Sequence, residues 1–354
     1  MNFPSRPLRS VAPAPDPPEI DARVRPLSSL QRVMCRPEFG AVVGVVFAWT
    51  LFSSVSGSAF SSAAGTASYL NSAAELGILA AAVAMLMIAG EFDLSVGSMV
   101  GAAGMLMAIL VEQFAVAPWL AVVLALLFGA AYGALNGWVV VKTRLPSFIV
   151  TLAGLFVLRG LTIALTRMLT GRTQVGGVAE ASDGTFVKTL FASSLGPFNI
   201  SIVWWLTAVV VLTIVLSKTS LGNWLFAVGG TTDAARNIGV PVARVKITAF
   251  MATGLAAALV GVIQVMEAGS ADTLRGELKE LEAITAAVVG GVLLTGGYGS
   301  IVGVAFGALT FGIIKQGIFF TGLDTDWFRV ILGTLLLGAV LVNNWLRARA
   351  LKAR

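Results

Sequence analysis

GEFDLSVGSMVG, residues 90 to 101, decides how the chain is read. It sets two carboxylates, Glu91 and Asp93, between two long apolar runs, then continues in small residues. If one apolar span ends near Ala89 and the next begins near Ser95, GEFDL is a turn with almost no length to spare. Asp93 or Ser95 can then accept hydrogen bonds from the first free amides of the following helix, a role that stabilises by about 0.3–1 kcal/mol. Capping accounts for one acid and leaves Glu91 unexplained.

The surrounding composition fixes the setting. Of 354 residues, 57% are hydrophobic and only 12% charged, about half the charged share of a soluble domain. Apolar stretches near the ~20 residues needed to cross a bilayer recur along the whole length. The expected fold is therefore all-α: a polytopic membrane protein of about ten transmembrane helices, with spans near 39–56, 72–89, 95–113, 117–140, 148–167, 200–217, 247–266, 281–296, 300–320 and 327–345. Residues 1–38, rich in Pro and Arg and without an apolar core segment, read as a disordered cytoplasmic tail rather than a signal peptide. Residues 39–345 form the transmembrane domain, and 346–354 a C-terminal tail.

Basic residues set the orientation. Six lie in the N-terminal tail, with Lys142 and Arg144, then Lys218, Arg236, Arg244 and Lys246, and four more after residue 345. The opposite segments hold fewer, so the positive-inside rule puts both termini in the cytoplasm. Trp119, Trp138, Trp204, Trp205, Trp327 and Trp345 fall near expected span ends, where such rings settle at headgroup level. The outer loops 168–199 and 267–280 are either solvated surface or docking surface for an external partner.

Several function classes are disfavoured. The chain has no histidine, which argues against His-based triads and hydrolytic metal chemistry. Its one cysteine, Cys35, permits no intramolecular disulfide. The net charge of +6 flanks the apolar runs, so membrane lipid is the expected polyanion and nucleic acid is not. An ion-coupled secondary carrier needs in-membrane acids, for which Glu75 is the one good candidate.

Charges inside spans cost about 2.5–3.5 kcal/mol on insertion scales and usually face a bundle interior or an aqueous path. Arg159, central in a span, is expected to pair with Glu75 or to serve a structural role, and Lys315 to snorkel. Glu75, Asn136, Arg159 and Gln264 are the candidate pathway residues. GSIVG at 299–303 parallels GSMVG at 97–101, and both stretches are expected to face the cytoplasm as duplicated interrupted segments. In the inner loop 218–246, Thr231 or Thr232, Asp233 and Gly239 spell a short capped helix, lying on headgroups or docking into a cytoplasmic protein.

Four ordered stretches resemble one family: EFDLSVGSMVGAAGM (91–105), NGWVVVKTRLPSFIVTLAGLFVLRG (136–160), FAVGGTTDAARNIGVPVARVK (226–246) and ELEAITAAVVGGVLLTGGYGSIVGVAFGAL (280–309). They are similar to the permease subunits of bacterial carbohydrate importers of the ATP-binding-cassette class, ribose-permease type. The resemblance implies a non-enzymatic inner-membrane subunit that moves a monosaccharide or similar solute by alternating access. It implies a second permease copy, an external solute-binding protein and a cytoplasmic ATPase that carries ATP and magnesium. No GxxxxGK[ST] loop occurs here, in keeping with ATP on a separate chain.

Residues 232–239 resemble the coupling helix of such importers. Asp233, Ala234, Ala235 and Gly239 match a Glu-Ala-Ala-x-x-x-Gly pattern with Asp for Glu, and Gly229, Gly230 and Arg236 belong to the same stretch. Asp93, Leu94, Ser95, Val96 and Gly97 match an Asp-Leu-Ser-Val-Gly core, whereas Glu91 and Phe92 replace a Gly-Ile pair. On this reading Asp93 caps a helix after a break, and Glu91 faces the vestibule or the coupling region.

Overall fold

The computed structural model describes residues 37–322, 324 and 326–352. The N-terminal tail lies outside the described residues except for Pro37 and Glu38, which already belong to the first helix. In chain order the helices are α1 (Pro37–Val55), α2 (Gly57–Ser61), α3 (Ala63–Ile88), α4 (Val96–Glu112), α5 (Pro118–Thr143) and α6 (Ser147–Thr170). Next come α7 (Val178–Ala181), α8 (Phe186–Ala192), α9 (Ser201–Lys218), α10 (Ser220–Gly230), α11 (Thr232–Asn237) and α12 (Val242–Ala268). The chain ends in α13 (Lys279–Val289), α14 (Ile301–Thr321) and α15 (Trp327–Lys352), so residues 346–352 continue a helix.

Burial sorts these helices into a centre and a rim. In the most apolar windows of α3, α12 and α14, 83%, 72% and 67% of positions are buried, against 11% in α1 and α6 and 17% in α9. Helix α4 is buried along nearly all its length and joins the centre. Rim helices keep Phe47, Phe156 and Val210 exposed, as faces that meet lipid must. The closest central contact pairs α5 with α12 through Gly129, Gly133 and Gly137, one helical turn apart each. A methyl on Gly133 would come within 2.9 Å of the Phe250 carbonyl carbon. Small residues at that spacing let two backbones approach where apolar lipid gives no hydrophobic drive.

Among the described residues, seven helices are long and apolar enough to cross a membrane, fewer than the ten spans expected. Helix α4 has 17 residues, and the apolar part of α15 is also short. The span expected at 281–296 is corrected: α13 has 11 residues, about 16 Å of helix, and ends in a turn. Its end is a Schellman turn, in which Gly291 N donates to Val288 O at 3.0 Å and Val292 N to Ala287 O at 3.0 Å. Composition alone hides this, because VLL after the turn is as apolar as the helix.

The loops expected on the surface are folded. Residues 168–199 bury Val175, Val178, Val187 and Phe191, and Phe191 stacks on Trp204 with ring centroids 5.2 Å apart. Strand β1 (Gln174–Val175) pairs antiparallel with β4 (Ala271–Asp272), and β2 (Ser194–Leu195) with β3 (Phe198–Asn199). Trp119, Trp138 and Trp327 are exposed, but Trp205 is buried against Gly77 of α3 and is no headgroup anchor.

Candidate functional site

The opening stretch ends one helix and feeds the next through a non-helical segment inside the bundle. Helix α3 closes with the same Schellman turn as α13: Gly90, at φ +82°, donates from its amide to Met87 O at 2.9 Å, and Glu91 N to Leu86 O at 3.1 Å. Non-helical backbone at such depth requires partners within the protein. Helix α6 supplies them, since Phe92 N donates to Ser147 Oγ and Leu94 N to Thr151 Oγ1, both at 3.0 Å.

Asp93, 1% exposed, accepts from Ser95 N at 2.9 Å, Ser95 Oγ at 2.6 Å and Thr253 Oγ1 at 2.9 Å. Asn136 Nδ2 donates to Ser95 Oγ at 2.9 Å. The expected cap is thereby corrected. Ser95 precedes α4 without a side-chain bond to its free amides, and Asp93 instead braces the turn and ties it to α12. Two residues of separation let a carboxylate reach the amide of Ser95, which satisfies the chain before α4 starts.

The two stretches GSMVG and GSIVG pack against opposite ends of α13. Gly97 faces Gly276 and Glu280 at the start of α13, whereas Gly303 faces Gly290 just beyond its end. The 11 residues of α13 separate the two levels, by about 16 Å.

A glycine junction joins both breaks to a third element. Gly297 N donates to Ile88 O at 2.9 Å, and Gly229, near the end of α10, fits against Ile88 O with Gly297 N beside it. Gly296 approaches Gly90 so closely that a methyl on it would lie 2.9 Å from the Gly90 Cα. From Gly230 the chain passes directly into α11, which carries Asp233 in its first turn and Arg236 in its last, joined to each other at 3.4 Å. Gly239, at φ +88°, follows the helix end as the sequence predicts. Thr231 precedes α11 but makes no side-chain cap bond. Within α11, Ala235 is buried and Ala234 is exposed.

Beside α11 opens a cleft of about 960 Å³ lined by Glu91, Arg144, Asp233, Arg236, Arg244 and Lys246 among others. Glu91 pairs there with Lys246. The second acid of the opening stretch is thus tied to the first turns of α12, in the cleft that Asp233 and Arg236 also line.

At the other end of the bundle a smaller pocket, about 560 Å³, is lined by Glu75, Asn199, Gln264, Glu267, Arg275 and Lys279 with Ala268 and Gly276. Gln264 Nε2 donates to Glu75 Oε2 at 2.5 Å, and Arg275 donates to the Gln264 carbonyl at 2.8 Å. Of the four candidate pathway residues, Glu75 and Gln264 line this pocket and Asn136 and Arg159 do not. The expected Glu75–Arg159 pair is absent: Arg159 donates to Ser98 Oγ at 3.4 Å and to Leu274 O at 3.2 Å. Lys315 stands near Lys279, Glu282 and Glu75 instead of serving only a span end.

Glu267, Arg275 and Lys279 were hidden from sequence reasoning inside a stretch that looked like an external acidic loop. That loop descends along α4, where a methyl on Gly101 would meet the Arg275 carbonyl at 2.6 Å. A run of charge followed by a half-length apolar helix was the available signal.

A helical membrane bundle with two interrupted segments, a cleft at one end and a polar pocket at the other defines a solute-transport component as its class. The chain belongs to the branched-chain amino acid transport system / permease component family, whose model matches residues 65–340. It is 32% identical over 306 residues to the fructose import permease protein FrcC of Rhizobium meliloti, covering 86% of this chain and 85% of that one. Identity is 30% over 364 residues to the xylose transport system permease protein XylH of Escherichia coli, covering 88% and 93%. With the ribose import permease protein RbsC of Escherichia coli it is 35% over 272 residues, covering 75% and 81%. No solved structure matches the chain at a significant level.

Proposed function

We propose that this chain is the membrane-spanning permease subunit of an ATP-driven importer for a monosaccharide or similar small polar solute. The observation that supports this most, beside the family, is the glycine junction: α11 continues straight from Gly229–Gly230, and those residues sit between the two chain breaks at Gly90 and Gly296–Gly297. A push on α11 is therefore transmitted to both interrupted segments without passing through a flexible linker. Alternating access needs such a two-state element.

In this reading α11 docks on a cytoplasmic ATPase, which holds ATP and magnesium. An external binding protein delivers solute to the end of the bundle that carries Glu75, and a second permease copy completes the path. Both termini and the Glu91 cleft then face the cytoplasm in a bacterial inner membrane. Helix α4 and the apolar first half of α15 cross together with the seven longer apolar helices, and α13 is a half-helix.

The three relatives, named for fructose, xylose and ribose, favour a sugar over the branched-chain amino acids of the family's title. An ion-coupled carrier is disfavoured, because the family model and the three relatives are permease components of transport or import systems. The test is purification of the tagged chain from its native membrane with mass spectrometry and an ATPase assay. Recovery of an ATPase, lost when Asp233–Gly239 is scrambled in a folded chain, supports the reading. Crosslinking in intact membranes that finds no ATPase, with uptake that follows the proton gradient, overturns it.

A further inference from the structure

The segment between α6 and α9 takes its hydrogen bonds from the protein where a solvated loop would take them from water. Hairpin β2–β3 is held by α3: Asn71 Nδ2 donates to Pro197 O at 3.1 Å, and Asn199 N donates to Asn71 Oδ1 at 3.0 Å. Ile200 N donates to Ser193 O at 2.9 Å, and Trp204 Nε1 donates to Leu190 O, near the end of α8, at 2.9 Å. Pro197, in the turn of the hairpin, has no amide to satisfy. Backbone in or near hydrocarbon has to be satisfied internally in this way.

The level of the hairpin agrees. Asn71 lies eight residues into α3, about 12 Å from its start. Helix α14 also runs past this level: Gly312 packs on Tyr69 and Ala73, and the helix continues to Phe320, whose ring centroid lies 6.0 Å from that of Phe60. Phe319 is 64% exposed there. Apolar surface therefore extends further along the bundle axis than the hairpin does.

At that level large apolar side chains turn outward. Leu195, beside the hairpin turn, is 86% exposed, and Phe186 and Leu190 of α8 are exposed as well. Helical periodicity sets Phe186 and Leu190 about 40° apart on α8, with Val187 and Phe191 buried next to them. Lys188 lies across the helix from Phe186 and pairs with Asp183 at 3.0 Å. The exposed stripe of α9, Val203, Leu206, Val210 and Ile214, begins one turn after β3, so outward apolar surface is continuous along the chain.

We propose that Phe186, Leu190 and Leu195 form an interfacial anchor, which sets α8 and the hairpin tip into the acyl–headgroup boundary of the leaflet at the Glu75 end. Lipid is the partner of this face. A short amphipathic helix with apolar groups on one side and a charged pair on the other matches an interfacial setting. A water-soluble partner fits it less well, since the charges that would steer and orient such a protein, Asp183 and Lys188, lie on the other side of α8. The anchor fixes the height of α9 in the membrane and leaves an external protein to dock elsewhere on that end.

The test uses the full chain in lipid nanodiscs, as single-cysteine variants in a Cys35→Ser background, each labelled with bimane. Leu195→Cys and Phe186→Cys probe the anchor, Val210→Cys the lipid face of α9, and Asp183→Cys, at a side chain 77% exposed, the water. Fluorescence quenching is read with phosphatidylcholine brominated on its acyl chains and, separately, with aqueous iodide. The two anchor probes are expected to lose at least about half as much fluorescence to brominated lipid as the Val210 probe, and to be quenched by iodide at least about threefold less than the Asp183 probe. Should Phe186→Cys not fold, Leu195→Cys decides.

Iodide quenching equal to that of the Asp183 probe overturns the anchor and leaves the face to water or to an external protein. Protection from both quenchers overturns it too; if that protection is lost in discs holding one chain, the face belongs to a second copy.

Discussion

Asp93 offers the sharpest test of how the break is held. Its carboxylate takes Ser95 N and Ser95 Oγ on Oδ1 and Thr253 Oγ1 on Oδ2, at 2.6–2.9 Å, in a site 1% exposed. In Asp93→Ala the Ser95 amide is orphaned, because α4 has no acceptor for it, and an orphaned buried donor costs about 1–3 kcal/mol. The Ser95 hydroxyl loses its acceptor as well, and the cavity left by the carboxylate adds to the cost. The Thr253 hydroxyl, by contrast, turns fully to the Phe250 carbonyl, already 2.8 Å away.

The sum for Asp93→Ala is about 3–5 kcal/mol. Asp93→Asn keeps an oxygen for the Ser95 amide, and its new amide donates to the Thr253 oxygen, so the cost is about 1 kcal/mol. At about 2 °C per kcal/mol for a chain of this size, the apparent melting midpoint falls by about 6–10 °C for Ala and about 2 °C for Asn. Both are measured in one detergent at one scan rate, since unfolding here is not expected to be reversible. Equal midpoints for the two variants, or a wild-type midpoint for Ala, would refute the bracing role.

Other perturbations have equally definite outcomes. Gly229→Ala drives a methyl into the Ile88 carbonyl and to 2.7 Å from Gly297 N; it should cost about 1–3 kcal/mol and abolish uptake, whereas Gly230→Ala, which meets nothing within 4 Å, should be tolerated in both assays. Lys246→Ala leaves Glu91 unpaired with only a tenth of its side chain exposed, and a stability loss of about 1–3 kcal/mol is expected, partly recovered in the Glu91→Ala/Lys246→Ala double variant; strictly additive losses would show that the pair contributes nothing. Thr151→Val orphans the Leu94 amide for about 1–3 kcal/mol, and Thr151→Ser should restore the wild-type midpoint by thermal melting.

Much of the site was legible because it is local. The Schellman end at Gly90, the short helix at 232–237 and its end at Gly239 follow from glycine and the few residues around it. Residues 281–296 misled because hydropathy counts apolar residues and is blind to the Gly290–Gly291 turn that halves the helix. Residues 267–280 misled in the opposite sense: their charges read as solvent, yet the segment lies against α4 with Arg275 and Lys279 turned into a pocket.

Sequence by itself determined the membrane class, the family and the interruption after Ala89, because these depend on composition, ordered motifs and short-range turn chemistry. It named Asp93, Ser95 and Asn136 without placing them together. Only the tertiary structure decided that Asp93 braces Ser95 and Thr253 instead of capping α4, and that Glu75 meets Gln264 instead of Arg159. It also decided that Gly229 sits between two breaks from distant parts of the chain. The physical reason is that a buried polar group takes whichever partner the helix packing brings within about 3 Å, and that packing follows small-residue contacts such as Gly133 on Phe250, whose partners are over a hundred residues apart.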